Sequence, residues 1–185
     1  MNYAIANLCA KAETVFEKTA SINTLSFADL YGGKICAALD RQHPRDIFDI
    51  KILLENEGIT PDTRRAFVVY LASHDRPMNE LLNPARHDFE QVFQAEFSGM
   101  TLAPVTCREL VDVREMLISQ INRDLASNER QFLFSIKEGN PKWNLLGLPG
   151  IETLPALQWK LANIRKMPAK KHAEALEKLR KILAL

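Results

Sequence analysis

SFADLYGGKICAALDRQHPRDIFDIKILLENEG, residues 26–58, decides how this chain folds. Ser26 is an N-cap residue type, and Asp29 places a carboxylate in the first turn behind it, where a helix end favours negative charge. Leu30, Cys36 and Ala37 then fall near one apolar stripe, so a helix is predicted from Ser26 to about Leu39. Asp40-Arg41-Gln42-His43 is a short connection. Pro44 suits the first position of a second helix, because the N–H it lacks would be unpaired there anyway. Ile47, Ile50 and Leu54 give that helix its core face, and Gly58 ends it. Two consecutive helices joined by a four-residue turn are predicted, with polar groups facing each other across the turn.

Working outward, helical signals continue to the end of the chain. Thr60-Pro61-Asp62-Thr63 starts a third helix through Ala72, with Phe67 and Leu71 one turn apart. Phe89, Val92, Phe93 and Phe97 form an aromatic stripe at helical spacing, read as core. Thr106 and Glu109 fit a capping box before Leu110, Val113, Leu117 and Ile121, a long amphipathic helix to about Leu125. Residues 128–138 make another helix, and a loop carrying Trp143 follows, between Gly139-Asn140-Pro141 and Leu148-Pro149-Gly150. Thr153 is expected to cap a helix with Pro155 in its first turn, and Ala169 to Leu183 is the last. Residues 1–25 are different: they lack helical periodicity, and Thr19 to Leu25 alternates like a single strand. A lone strand is not stable, so either its partners are expected upstream or the piece packs as an extended arm on the helices. The expected fold is mainly α, residues 26–185 forming one helical domain and residues 1–25 a remnant with one or two vestigial strands.

Composition excludes several classes. With 185 residues, 46% hydrophobic and 25% charged, and 24 basic against 23 acidic side chains, the chain can bury roughly 70% of its unfolded surface without staples. No stretch approaches the roughly 18 to 20 apolar residues of a membrane span, and Met1 to Ala12 does not read as a secretory leader, so the expected location is cytoplasmic. Cys9, Cys36 and Cys107 are too far apart for a zinc site and are expected to be buried, inert thiols. His43, His74, His87 and His172 are scattered at helix ends. There is no phosphate-binding glycine loop, no H-E-x-x-H and no G-x-S-x-G.

The chemistry-bearing residues gather in the opening stretch. Lys34 lies near the apolar side of the first helix, an unusual place for lysine. Arg45 and Asp49 are i and i+4 on the second helix, and Asp46 and Asp49 are i and i+3, so one stripe holds a cation and two carboxylates. The same spacing also supports a structural salt-bridge network of Lys34, Arg45, Asp46 and Asp49. Gly32-Gly33 costs about 1 kcal/mol per glycine relative to alanine, which points to close approach of a ligand, a backbone or a packed helix.

Leu25 to Lys34, continuing through Arg41 to Arg45-Asp46-Ile47-Phe48-Asp49, closely resembles the AbiEii/AbiGii nucleotidyltransferase toxins of type IV toxin–antitoxin and abortive-infection systems. Their pattern is a lysine on one helix followed by an R-D-x-x-D helix. Phe132 to Ile136, Pro141-Lys142-Trp143 and Leu154 to Lys160 look like the family's helical tail. The resemblance implies the helical half of a DNA-polymerase-β-like nucleotidyltransferase, with Mg²⁺ and a nucleoside triphosphate as cofactors, an RNA acceptor and a cognate antitoxin acting on expression. By position, Lys34 would neutralise phosphate charge, Asp49 or Asp46 would orient the acceptor, and Arg45 would bind nucleotide and hold the aspartates. Nucleotidyl transfer depends on such positioning and charge neutralisation.

The chain also departs from the pattern. It has no Gly-Ser loop and no D-x-D pair to hold catalytic metals, Glu55-x-Glu57 being the nearest pair, so no metal ligands are assigned. The expectation is a truncated toxin, inactive alone. The alternative is a non-enzymatic helical module that binds an antitoxin, RNA or a partner protein, motivated by the basic run of Lys160, Arg165, Lys166, Lys170, Lys171, Lys178, Arg180 and Lys181.

Overall fold

A computed structural model describes residues 3–185. Two short strands, β1 (Tyr3–Asn7) and β2 (Ser21–Leu25), flank a helix, α1 (Ala10–Phe16). The rest is helical: α2 (Phe27–Arg41), α3 (Pro44–Asn56), α4 (Pro61–Ser73), α5 (Met78–Leu82), α6 (Glu90–Glu96), α7 (Cys107–Asp124), α8 (Ser127–Glu138), α9 (Pro155–Arg165) and α10 (Ala169–Leu183). Single 3₁₀ turns stand at Trp143–Leu145 and Ile151–Thr153. The mainly α architecture with two vestigial strands is the one expected. Among the described residues no helix is long and apolar enough to cross a membrane.

The helix boundaries follow local chemistry. The Ser26 hydroxyl accepts from the Asp29 amide at 3.2 Å. Thr60 does the same for Thr63 at the start of α4. Thr106 and Glu109 complete both halves of the capping box on α7, which contributes about 1 kcal/mol. Thr153 does not cap α9. Pro155 occupies the first helical position, which makes Leu154 the capping residue, and the Thr153 hydroxyl donates instead to the Gly150 carbonyl at 2.8 Å.

α2 and α4 run side by side in the same direction and form the centre of the core. Gly32 makes this possible: a Cβ there would lie 2.8 Å from the Ala66 Cβ and 2.8 Å from the Phe67 amide nitrogen. Of the three explanations open for this glycine, the close approach of a neighbouring helix is the one realised. Ile35, Leu39, Phe67, Val68 and Leu71 meet at the contact and are fully buried, each such side chain contributing about 1.5–3 kcal/mol. α3 packs between α2 and α7, and α8 lies among α4, α9 and α10. The aromatic stripe packs as expected, with Phe89, Phe93 and Phe97 buried and the Phe97 ring 5.4 Å from that of Phe48.

Residues 3–25 correct two expectations. The strand at residues 19–25 is not an orphan: β2 pairs antiparallel with β1, Tyr3 opposite Leu25 and Asn7 opposite Ser21. The intervening α1 buries no residue and so has no apolar stripe to read. Ile5, Val15, Phe16 and Ile22 are all exposed. Cys9 is exposed too, against the expectation of burial; Cys36 is buried, and that burial pushes its thiol up to about 12.

Candidate active site

The α2–α3 hairpin brings the sequence-derived residues to one side of the fold but divides them into separate pairs. Lys34 projects from α2, two residues beyond the glycine that seats this helix on α4. Its ammonium donates to Asp49 Oδ2 on α3 at 2.5 Å, and both side chains remain more than a third exposed. Asp46 faces the turn and accepts from Arg41 at 2.7 Å.

Arg45 does not hold the aspartates. Its guanidinium donates to the Glu96 carbonyl at the end of α6 at 3.0 Å, which fastens α3 to α6. Beside it His43 caps α3, its Nδ1 accepting from the Arg45 amide, while Nε2 lies 3.2 Å from Glu96. The four-membered network anticipated from spacing is therefore two pairs, Lys34–Asp49 and Arg41–Asp46, with Arg45 engaged elsewhere. Arg41, His43, Arg45 and Asp46 line an open cavity of about 370 Å³ over the turn. A second, of about 400 Å³, lies between the starts of α2 and α4 and the loop at Leu148.

Gln42, a residue that no sequence motif singles out, stands at the turn and ties α2 and α3 to the rest of the core. It ends α2 with φ 51° and is 1% exposed. Its amide nitrogen donates to the Ala85 carbonyl at 2.6 Å, and its oxygen accepts from the His87 amide and from Arg114. Arg114 is buried on α7, stacked 5.4 Å over the Phe89 ring. It stands four residues after Leu110 and three before Leu117, and a cation at that point of an apolar stripe was the available signal.

Two further lysines escaped notice as buried groups. Lys160, 7% exposed, donates to the carbonyls of His74, Asp75 and Arg76 beyond the end of α4. Burial, and then the nearby Lys137, hold it down to about 8. Lys137, in the last turn of α8, is equally buried.

A lysine whose only partner among the described residues is a carboxylate, open to solvent, can exchange that carboxylate for a phosphate oxygen. A divalent metal fits less well. Among the described residues no three carboxylate, histidine or cysteine side chains come together to hold one, and Asp46 and Asp49 each face a cation.

The model of one family, the nucleotidyl transferase AbiEii toxin of type IV toxin–antitoxin systems, matches residues 3–163. The chain belongs to that family. The match takes in the hairpin of strands, the α2–α3 pair and α9 as far as Asn163, and leaves α10 outside it. No curated protein and no solved structure matches the chain. Membership makes it a toxin-type nucleotidyltransferase whose system includes a cognate antitoxin.

Proposed function

We propose that the α2–α3 pair is the triphosphate-contacting side of a nucleotidyltransferase that transfers a nucleotide to an RNA end in phage defence. The carrying observation is the exposed Lys34–Asp49 contact between α2 and α3, both of which lie within the span matched by the family. In the reaction an acceptor hydroxyl oxygen attacks the α-phosphorus and gives up its proton to water, the bond to the bridging oxygen breaks, and pyrophosphate leaves. Lys34 turns from Asp49 to the triphosphate and offsets its charge, a role suited to a compact ammonium. Asp49, released, orients the acceptor hydroxyl by accepting its hydrogen bond, with Asp46 the other carboxylate within the motif. Arg45 serves by fixing α3 against α6.

Divalent metal supplies the remaining charge stabilisation in such chemistry. The carboxylates for it are assigned to a polypeptide segment other than these residues, one that packs on the exposed side chains of β1, α1 and β2. On this reading residues 3–185 are inactive alone.

The test is Mg²⁺-dependent transfer of label from each ribonucleoside triphosphate to total RNA, paired with direct nucleotide binding. The expected outcome is weak triphosphate binding without transfer, lost in Lys34→Ala. Binding unchanged in that variant refutes the assignment and favours the helical interaction module.

A further inference from the structure

One stripe of α2 carries both an aromatic pair and the cation of the candidate site. Phe27, Tyr31 and Lys34 stand at i, i+4 and i+7, which puts them in a row on one side of the helix, and Ala38 continues the row toward the turn. Exposure rises along the row with distance from the turn. Ala38 is fully buried, Lys34 and its partner Asp49 are more than a third open, and Phe27 is 42% exposed. On α3, Ile52 stands three residues past Asp49, on the same flank and also away from the turn, and is 37% exposed. The seam between the two helices is therefore closed near the turn and open at its far end, and the open end presents apolar surface.

The two rings differ in how they are held. Tyr31 is partly buried against the core, and its centroid lies 4.5 Å from that of Phe27, with the planes tilted by 44°. Tyr31 thus props a phenylalanine that remains open to solvent. A ring fixed in this way offers its face at little cost in conformational freedom, as stacking on a base requires.

The row is apolar at one end and cationic at the other. A polypeptide segment packed on Phe27, Leu30 and Ile52 needs no ammonium at the end of the patch. A nucleotide is built as the row is, with a flat base at one end and anionic phosphates at the other. The lengths agree as well: from Phe27 to Lys34 the helix rises about 10.5 Å, a span that the ribose and inner phosphate of one nucleotide bridge.

We propose that Phe27 and Tyr31 are the platform on which the base of the nucleoside triphosphate stacks, with Ile52 as apolar surface on α3, while Lys34 takes the phosphates. This base site deepens the reading of Lys34 given above and rests on it. A ring face reads no base edge, so all four ribonucleoside triphosphates are expected to use the platform.

The experiment is calorimetric titration of the full chain with each ribonucleoside triphosphate and, in parallel, with inorganic tripolyphosphate, which has the charge and no base. Phe27→Ala is expected to weaken nucleotide binding about tenfold and to leave tripolyphosphate binding unchanged. Phe27→Trp, which keeps a ring, should bind nucleotide at least as tightly as the parent chain, and circular dichroism melts matching the parent show that both variants fold. Lys34→Ala is expected to weaken both ligands. Nucleotide affinity unchanged in Phe27→Ala overturns the platform and leaves this face to a polypeptide cover; an equal loss for tripolyphosphate overturns it too. Nucleotide binding that falls in Phe27→Ala but holds in Lys34→Ala keeps the platform and removes only the phosphate role of Lys34. Tripolyphosphate that binds the parent chain as tightly as nucleotide does, and is lost in Lys34→Ala, keeps Lys34 and removes the platform.

Discussion

Replacing Gly32 by alanine tests the packing on which the α2–α3 pair rests. Two effects oppose each other. Alanine favours a helix interior over glycine by about 1 kcal/mol. The added Cβ, however, would stand 2.8 Å from the Ala66 Cβ, 2.8 Å from the Phe67 nitrogen and 2.9 Å from the Ala66 carbonyl carbon. Two of the three are backbone atoms of α4 and cannot rotate away, so the helices must part. Overpacking of this kind costs about 1–3 kcal/mol, and contact with rigid backbone places it at the upper end. The net expectation for Gly32→Ala is a loss of about 1–2 kcal/mol. Gly33 supplies the internal control, because a Cβ there meets only the Tyr70 ring, at 3.5 Å or more, which is ordinary contact. Gly33→Ala should therefore gain up to about 1 kcal/mol. Thermal unfolding followed by circular dichroism measures both, and at about 2–4 °C per kcal/mol for a chain of this size the two melting temperatures should separate clearly. Triphosphate binding should also weaken in Gly32→Ala, since Lys34 is carried on the displaced turn, and persist in Gly33→Ala. If Gly32→Ala is as stable as the parent chain, the close approach of α2 and α4 is not what the glycine serves.

Gln42→Ala strands three partners at once, the Ala85 carbonyl, the His87 amide and the Arg114 guanidinium, and is expected to cost about 3 kcal/mol in a urea melt; a loss below about 1 kcal/mol would mean that water replaces the side chain without penalty. Lys160, held down to about 8 from 10.5, makes a prediction of definite sign: between these values the unfolded chain binds more protons than the folded one, so stability rises with pH. Against Lys160→Met, which lacks the proton, the stability of the parent chain should improve by about 3 kcal/mol from pH about 7.5 to about 10.5. A flat difference would show that the three carbonyl acceptors hold Lys160 protonated as firmly as water does.

Much of this fold is written in local chemistry. α2, α3, α4 and α7 are legible because a capping residue or an N-terminal proline and an apolar stripe lie within a few residues of one another, and α10 because it is a long run of the helix formers Ala, Lys, Glu and Leu. α1 was not, because it buries nothing and leaves no period. Thr153 misled because a cap was assigned by residue type, when Pro155 had already fixed the capping position at Leu154. The candidate site divides along the same line. Spacing brought Lys34, Asp46 and Asp49 onto facing helices, as found. It could not foresee that a carbonyl 51 residues away, on Glu96, would take Arg45. Nor could it show that Lys137, on an otherwise ordinary helix end, would meet the first turn of another helix 35 residues later.

The Gln42 cluster also bears on the order in which the molecule is assembled. α2 and α3 are neighbours in sequence and can form a local hairpin quickly, as low-separation contacts do. The contacts that tie them to the rest of the core through Gln42 bridge 43, 45 and 72 residues. Lys34 and Asp49 can therefore drift in and out of reach until α7 docks and Arg114 closes on Gln42. During synthesis, a nascent chain that ends before Arg114 holds both residues of the pair without the clamp that orients them, so a toxin of this build acquires its working geometry late, after most of its length has been made.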